Sequence, residues 1–501
     1  MVLQVKEQPK HRVILLIIVL AYAGLAVAYA VLTPPWQVPD EPAHFNYIRY
    51  VAEEKRLPVL SVGDYPQAYL EHIKALHFPP EMPIDSIRYE AHQPPLYYLL
   101  ASVWYAPLRG LPLAQQVIGL RLLSVLVGVG ILVMGGLTVH ELLPRSPDLV
   151  IGTVAFVAFV PMHIAFTAGV NNDPLAELVL VSILWQLMRL LDRGLDLPHT
   201  ILLGITIGLA LLTKTTAYVS VPLAVIAVFM RARRSREFLR VSPKKSIIAQ
   251  IALILLPALP IALPWLIRNA SIYGPGDPLA LQRHDQVVLG QLTTSDFVSQ
   301  VGTLSYLQAF AVTTFRSFWA QFGWMGILID RRIYVALAIS CLYVTLGAVL
   351  FIVDLIRRPG RFARTQMQGL ALLAASTVLT VGSYLWYNTK FVQFQGRYLF
   401  PTIVPIGLWF SLGLRELLAD RWSRVLTYAS ATITALAALA RLALPDIGNL
   451  PLALSAGVLV FSLGRGFVPK WLARAIPSLV HGALLALAVV CLWGFIVPYF
   501  D

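Results

Sequence analysis

The residues best placed to do chemistry follow the first long apolar run, in PPWQVPDEPAHFNYIRYVAEEK. Asp40 and Glu41 stand directly before Pro42, and Phe45, Ile48, Val51 and Ala52 recur behind them at helical spacing. That pattern predicts an amphipathic helix on the outer membrane surface with Asp40 as its N-cap. The plain role of Asp40 is then capping, and that of Glu41 is to favour the positive end of the helix. Both are compatible with catalysis: a carboxylate fixed at a helix start beside a bilayer can take the proton of an acceptor hydroxyl.

Further polar motifs interrupt the apolar chain. In YEAHQPPLYYLL, His92 and Gln93 precede two prolines that set a turn. In NNDP, Asn171, Asn172 and Asp173 precede Pro174, which suits a turn or helix start between two spans. Lys214 sits in LLTKTTAY between two short apolar stretches, where a cation either snorkels to the headgroups or holds an anion. Arg397 follows Gly396 in FVQFQGRYLFP at the start of an apolar run, where a guanidinium can anchor at the interface or grip a phosphate. The aromatic stretch Phe315 to Ile327 reads as an interface belt in preference to a sugar or lipid platform, and Arg121, Arg189 and Arg441 as snorkelling helix-end residues.

These side chains must be positioned by membrane helices. The 501 residues are 57% hydrophobic and 13% charged, with mean hydropathy +0.71, against about 45–50% apolar and about 25% charged in soluble domains. That excludes an ordinary soluble enzyme, a disordered chain and a disulfide-stapled secreted domain; the two cysteines, Cys341 and Cys491, both lie in apolar runs. The net charge of +13 does not mark a nucleic-acid binder, because the basic residues cluster in short loops between apolar runs.

The fold class expected is an all-α polytopic membrane protein with about thirteen spans, the first from Val13 to Leu32. With the N-terminus inside, loops assigned to the cytoplasm hold 22 basic residues and the short opposite loops only Lys214, Lys390 and Arg397. The orientation predicted is therefore N-terminus cytoplasmic in a multi-pass cell membrane protein. The same parity requires a break at TKTT between two short helices, and makes Pro94–Leu108 an interfacial or re-entrant helix rather than a span. One integral membrane domain results, with two long outward segments, 33–115 and 268–332, where the chemistry should lie.

In combination, PDEPAH, HQPPLYYLL, NNDP, LLTKTT and QGRYLFP make the chain, from about Pro35 to Pro405, resemble the GT-C class of polytopic glycosyltransferases. That class includes the protein mannosyltransferases and the lipid A aminoarabinose transferases. The resemblance implies transfer of a sugar, usually with inversion, from a polyprenyl-phosphate donor to a lipid, glycan or protein acceptor on the non-cytoplasmic side. It implies Asp40 as general base, Glu41 beside it positioning an acceptor or a cation, and Lys214 meeting the donor phosphate; Arg397 joins Lys214 from its position. His92 corresponds to the histidine of the HPP-type motif, with Gln93 inserted here before the prolines. Asp173, with Asn171 and Asn172, stands where the second acidic motif falls. Metal use varies within the class, so the resemblance leaves a divalent cation open. Two other classes compete: a transporter or flippase of lipid-linked saccharides, which usually shows paired repeats and broken midplane helices, and a sugar-lipid binder that retains the fold without catalysis.

Overall fold

Lipid cannot satisfy backbone N–H and C=O groups, so apolar runs of this length must close their hydrogen bonds internally as helices. The computed structural model describes residues 9–194, 196–235, 243–443 and 448–500. Lys6 and residues 236–242 of the most basic loop lie outside the described residues.

Helix α1 (Pro9–Leu32) is followed by α2 (Glu41–Glu54), α3 (Gln67–Ala75) and α4 (Leu96–Tyr105) in the first long segment. Then come α5 (Leu113–Leu142), α6 (Pro147–Phe159), α7 (Pro161–Thr167), α8 (Asp173–Arg193), α9 (Leu197–Leu211), α10 (Ser220–Ser235), α11 (Pro243–Leu255) and α12 (Leu259–Tyr273). The second long segment carries α13 (Leu281–Val287), α14 (Thr294–Val301), α15 (Thr303–Trp319) and a two-residue antiparallel ladder, β1 (Gln321–Phe322) with β2 (Ile327–Leu328). Helices α16 (Arg331–Arg357), α17 (Arg364–Tyr387), α18 (Ile403–Leu417), α19 (Ser423–Ala443), α20 (Leu450–Leu463), α21 (Lys470–Cys491) and α22 (Val497–Phe500) complete the chain.

Among the described residues ten helices are long and apolar enough to cross a membrane, eleven if α6 and α7 form one broken span. That falls short of the thirteen expected. The difference is α9 and α20, helices of 15 and 14 residues, which reach roughly 21–23 Å against a hydrocarbon core of about 30 Å. The 67° bend between α6 and α7 falls at Pro161, whose ring cannot continue the hydrogen-bond ladder. The helix break expected at TKTT occurs at Leu212–Lys214, followed by a 3₁₀ turn over Thr215–Val219. Helix α4, ten residues long, is too short to span and instead packs on α2, where the Tyr47 and Tyr98 rings stack at 3.6 Å.

Apolar burial gives little drive between helices in lipid, so close backbone approach matters more. Helices α16 and α18 meet where Gly347 and Gly413 cross; a Cβ on either would collide with a main-chain carbonyl of the other helix. This contact holds α18, and therefore the Gly396–Thr402 turn that leads into it, against the bundle.

Helix α2 corrects the sequence reading. Phe45, Ile48, Val51 and Ala52 are buried as expected, but so is every residue from Glu41 to Ile48. Its first two turns are covered by α4 and neighbouring loops, and only its last turn, with Glu53 and Glu54, is exposed.

Candidate active site

The turn before α2 is held by a buried ion pair. Glu41, fully buried, accepts from Arg121 of α5 at both oxygens, Nε to Oε1 at 2.8 Å and Nη2 to Oε2 at 2.7 Å, and also from the Trp36 and Val170 amides at 2.9 and 3.0 Å. Arg121 spends its remaining donors on the carbonyls of Ala30, in the last turn of α1, and of Thr33 and Pro34 just beyond it. Two sequence expectations change here. Arg121 does not snorkel, because its side chain is fully buried. Glu41 has no oxygen turned to an acceptor or cation, because desolvation has driven both onto protein donors.

The clamp turns Asp40 outward. Asp40 stands at the N-cap position of α2 but adopts a left-handed backbone (φ 68°), and its side chain makes no capping bond. Its carboxylate instead accepts from Tyr89 Oη at 2.8 Å and from Arg397 Nη2 at 2.5 Å. Charge-assisted bonds of this kind outweigh a neutral cap bond, and Asp is among the non-glycine residues that tolerate the left-handed region. Burial by itself would raise the Asp40 carboxyl, but the Arg397 charge and hydrogen bond, helped by Tyr89, hold it at about 2.

Arg397 is delivered by close packing. Gly396 lies against the backbone of Phe318, where any Cβ would clash, and its N–H donates to Ser317 Oγ at 2.7 Å. The Arg397 guanidinium sits 4.7 Å from the Phe166 ring centroid, and its Nε is buried without a partner. A guanidinium with a free, desolvated donor can take a further anion.

Asp40 and Arg397 line a cavity of about 370 Å³ together with Glu90, His284, Gln393 and Tyr398. Glu90 was not singled out from sequence. Its Oε2 is buried with no hydrogen-bond partner. Burial, then the neighbouring Asp40 charge, push the Glu90 carboxyl up to about 7, with Lys214, His284 and Arg397 offsetting part of the rise. The only trace in the sequence is its position in YEAHQPP, two residues before His92. Trp324 also lines this cavity; part of the aromatic stretch read as an interface belt thus serves the site, with Lys74 Nζ 4.9 Å from the Trp324 ring.

Lys214 belongs to an adjoining cluster and does not line the cavity. Its Nζ pairs with Asp173 Oδ1 at 2.6 Å and donates to Asn172 Oδ1 at 2.9 Å. Asn172 donates to Gln93 Oε1 at 3.3 Å, while Asn171 Oδ1 accepts the Asp173 amide at 3.0 Å, which fixes the start of α8. The NNDP turn is therefore not solvated: Asn171 and Asn172 are fully buried. The two clusters share His44 of α2, which burial, and then the Lys214 charge, lower to about 3, with Asp40, Asp173 and Arg397 also acting on it. His44 is thus neutral and bonds Tyr98 Oη at 2.8 Å. His92 is turned away from the cavity. It donates Nδ1–H to the Tyr89 carbonyl at 2.9 Å and packs on His284, with centroids 4.5 Å apart; burial, then His284, hold it well below the usual imidazole range. It orients the Tyr89 that in turn bonds Asp40. Among the described residues no group of three or more His, Cys, Asp or Glu is arranged to hold a metal ion.

Residues 85–406, from the Glu90 motif through Arg397, match the family described as predicted membrane protein DUF2142. The chain belongs to that family. No curated protein matches the DUF2142 chain. Among solved structures, it is similar to ArnT from Cupriavidus metallidurans bound to undecaprenyl phosphate, at 15% identity over 96% of this chain and 76% of ArnT, with a TM-score of 0.51. The apo form of the same ArnT aligns at 14% identity over 96% and 75%, with a TM-score of 0.50. A weaker likeness, at a TM-score of 0.46 and 13% identity over 96% and 56%, is to the oligosaccharyltransferase AglB from Archaeoglobus fulgidus. The fold of this DUF2142 protein is that of the GT-C class.

Proposed function

We propose that this protein is a membrane glycosyltransferase that moves a sugar from a polyprenyl-phosphate carrier to an acceptor hydroxyl, with inversion, on the non-cytoplasmic face. The observation that carries the reading is the contact of Asp40 with Arg397 at a cavity large enough for a sugar and its phosphate. The ArnT of the same fold was solved with undecaprenyl phosphate, a carrier whose phosphate sits at headgroup depth. The charge asymmetry of the loops supports an N-terminus in the cytoplasm, and with it a site on the outer side.

In the reaction the acceptor oxygen attacks the anomeric carbon while the bond from that carbon to the phosphate oxygen breaks. The bonding electrons leave with the polyprenyl phosphate, and the acceptor proton goes to a carboxylate. Arg397 stabilises the departing phosphate through its unpartnered Nε and, once Asp40 is released, Nη2. Lys214, held by Asp173 and Asn172, adds positive potential from behind. In the absence of donor, Arg397 neutralises Asp40 and makes it a weak base. A donor phosphate competes for the guanidinium, frees Asp40 and restores its basicity, so that base and donor arrive together.

One observation favours a variant of this reading. Glu90 lines the cavity, one of its oxygens is buried without a partner, and its carboxyl lies near 7, the range best suited to proton transfer at neutral pH. Glu90 therefore shares the proton with Asp40, as its receiver or in its place.

The test is incubation of purified protein with labelled polyprenyl-phosphate sugars and hydroxyl acceptors, following release of free polyprenyl phosphate. Sugar transfer and stoichiometric carrier release are expected. Movement of intact lipid-linked sugar across proteoliposomes without bond cleavage would replace the enzyme by a transporter, and binding with neither outcome would leave a sugar-lipid binder.

A further inference from the structure

A second polar cavity lies at the opposite end of the helices that present the site. Helix α18 follows directly on Arg397, and its far end carries Arg415 and Leu418 on the wall of a cavity of about 830 Å³. The start of α6, the end of α20 and the first third of α21 supply the remaining walls. By the loop-charge asymmetry this is the cytoplasmic end.

Three arginines reach this cavity from three chain segments. Arg415 is 3.7 Å from Asp148. Arg465 caps α18 by donating to the Leu417 and Leu418 carbonyls and lies 3.4 Å from Asp420. Arg474 makes no ion pair among the described residues and is exposed. The two carboxylates offset this charge weakly, since the side chains of Asp148 and Asp420 are 60% and 99% exposed and exposed pairs are screened. Deeper in, His481 is only 8% exposed, and its ring lines the cavity beside Gly152 of α6. Its Nδ1 donates to the Pro477 carbonyl at 2.6 Å, which fixes the ring. His481 lies eleven residues into α21, about 16 Å below its start. Leu149, Leu414, Val468 and Pro477 make the intervening wall apolar.

A rim of arginines, an apolar shaft and an imidazole ring at depth match an amphiphile with an anionic head. A free oxyanion would fill little of this volume and would leave the apolar wall and His481 unused. We infer that this cavity binds the phosphate headgroup of an anionic membrane lipid, with Arg415, Arg465 and Arg474 on the phosphate and His481 on a polar group of the buried portion. Basic pockets between membrane helices suit such headgroups. The site is independent of the chemistry proposed at the other end, so its test involves no transfer reaction.

The experiment measures lipid binding to the full-length purified protein by native mass spectrometry and thermal shift, using phosphatidylglycerol, phosphatidylcholine and inorganic phosphate as separate probes. Phosphatidylglycerol is expected to bind at least about tenfold more tightly than phosphatidylcholine, and Arg415→Gln with Arg474→Gln to remove about that factor. Arg465 is left intact because it caps α18. Ala473→Trp, which fills the cavity without altering charge, should reduce binding to a similar extent in a protein of unchanged fold. Equal affinity for the two lipids, or insensitivity to both the arginine pair and the filling variant, overturns the site. Inorganic phosphate binding as tightly as the lipid, and displacing it, overturns the assignment to a lipid.

Discussion

Asp40 and Arg397 lie 357 positions apart in sequence and meet at 2.5 Å. Each depends on its own support: the Glu41–Arg121 clamp turns Asp40 out, and the Gly396–Phe318 contact pushes Arg397 in. If the guanidinium alternates between Asp40 and the donor phosphate, the two side chains act as one unit and their losses do not add. Asp40→Asn should lower turnover by roughly 10²- to 10⁴-fold, Arg397→Ala should lower it at least as far, and the double variant should be little worse than the poorer single one. Steady-state rates for the four proteins measure this. Strict additivity would separate the two residues and end the exchange mechanism.

Glu90 gives the reaction a pH signature. Its carboxyl is raised, so below about 7 it is protonated and cannot accept the acceptor proton; as pH rises through about 7 it ionises and can. The rate should therefore increase with pH across that region. In Glu90→Gln the increase should vanish and the remaining rate be flat there, because Asp40, held at about 2, is already ionised throughout. A wild-type profile that is flat between pH 6 and 8 removes Glu90 from proton transfer.

The sequence made the position of Asp40 at the start of α2 legible because a carboxylate pair before Pro42, directly after a span, leaves few placements for its side chain. Arg397 was legible for a similar reason, as a cation at a span start beside a glycine. The rest was set by tertiary neighbours that spacing cannot reveal. Glu41 reads like Asp40 until Arg121, 80 positions on, takes its oxygens. Glu90 is unremarkable in type, and only the approach of Asp40 and the loss of water raise its carboxyl. Helix α2 has an amphipathic period, yet α4 and neighbouring loops bury its first two turns on both faces, and only the last turn keeps Glu53 and Glu54 exposed. Of the crossings, the long ones were legible by hydropathy, whereas α9 and α20 were counted on composition and are shorter than a bilayer core.

In the proposed reaction Lys214 raises the potential felt by the donor and leaves the proton to others. Lys214→Gln retains a hydrogen-bonding group for Asn172 and removes the charge, so the donor KM should rise by roughly tenfold, through lost positive potential and not a lost contact, with a smaller change in kcat. Initial rates against donor concentration, at fixed acceptor, provide the measurement. An unchanged donor KM would reduce Lys214 to a structural partner of Asp173.

Glu41 yields the opposite kind of prediction, in which folding responds and chemistry does not. Its carboxylate accepts from Arg121 and from two main-chain amides in a fully buried setting. Glu41→Gln would leave the Arg121 guanidinium as an uncompensated buried charge, at a cost of roughly 3–5 kcal/mol. The thermal midpoint and the folded yield should fall sharply, while molecules that remain folded keep a kcat within a few-fold of wild type, because the substituted amide keeps the turn and Arg397 and Tyr89 still hold the Asp40 side chain at the cavity. Replacing both partners, with Glu41→Leu and Arg121→Met, removes the stranded charge and should recover much of the stability. A Glu41→Gln protein of normal stability whose kcat has dropped a hundredfold would reverse this assignment and return Glu41 to the reaction.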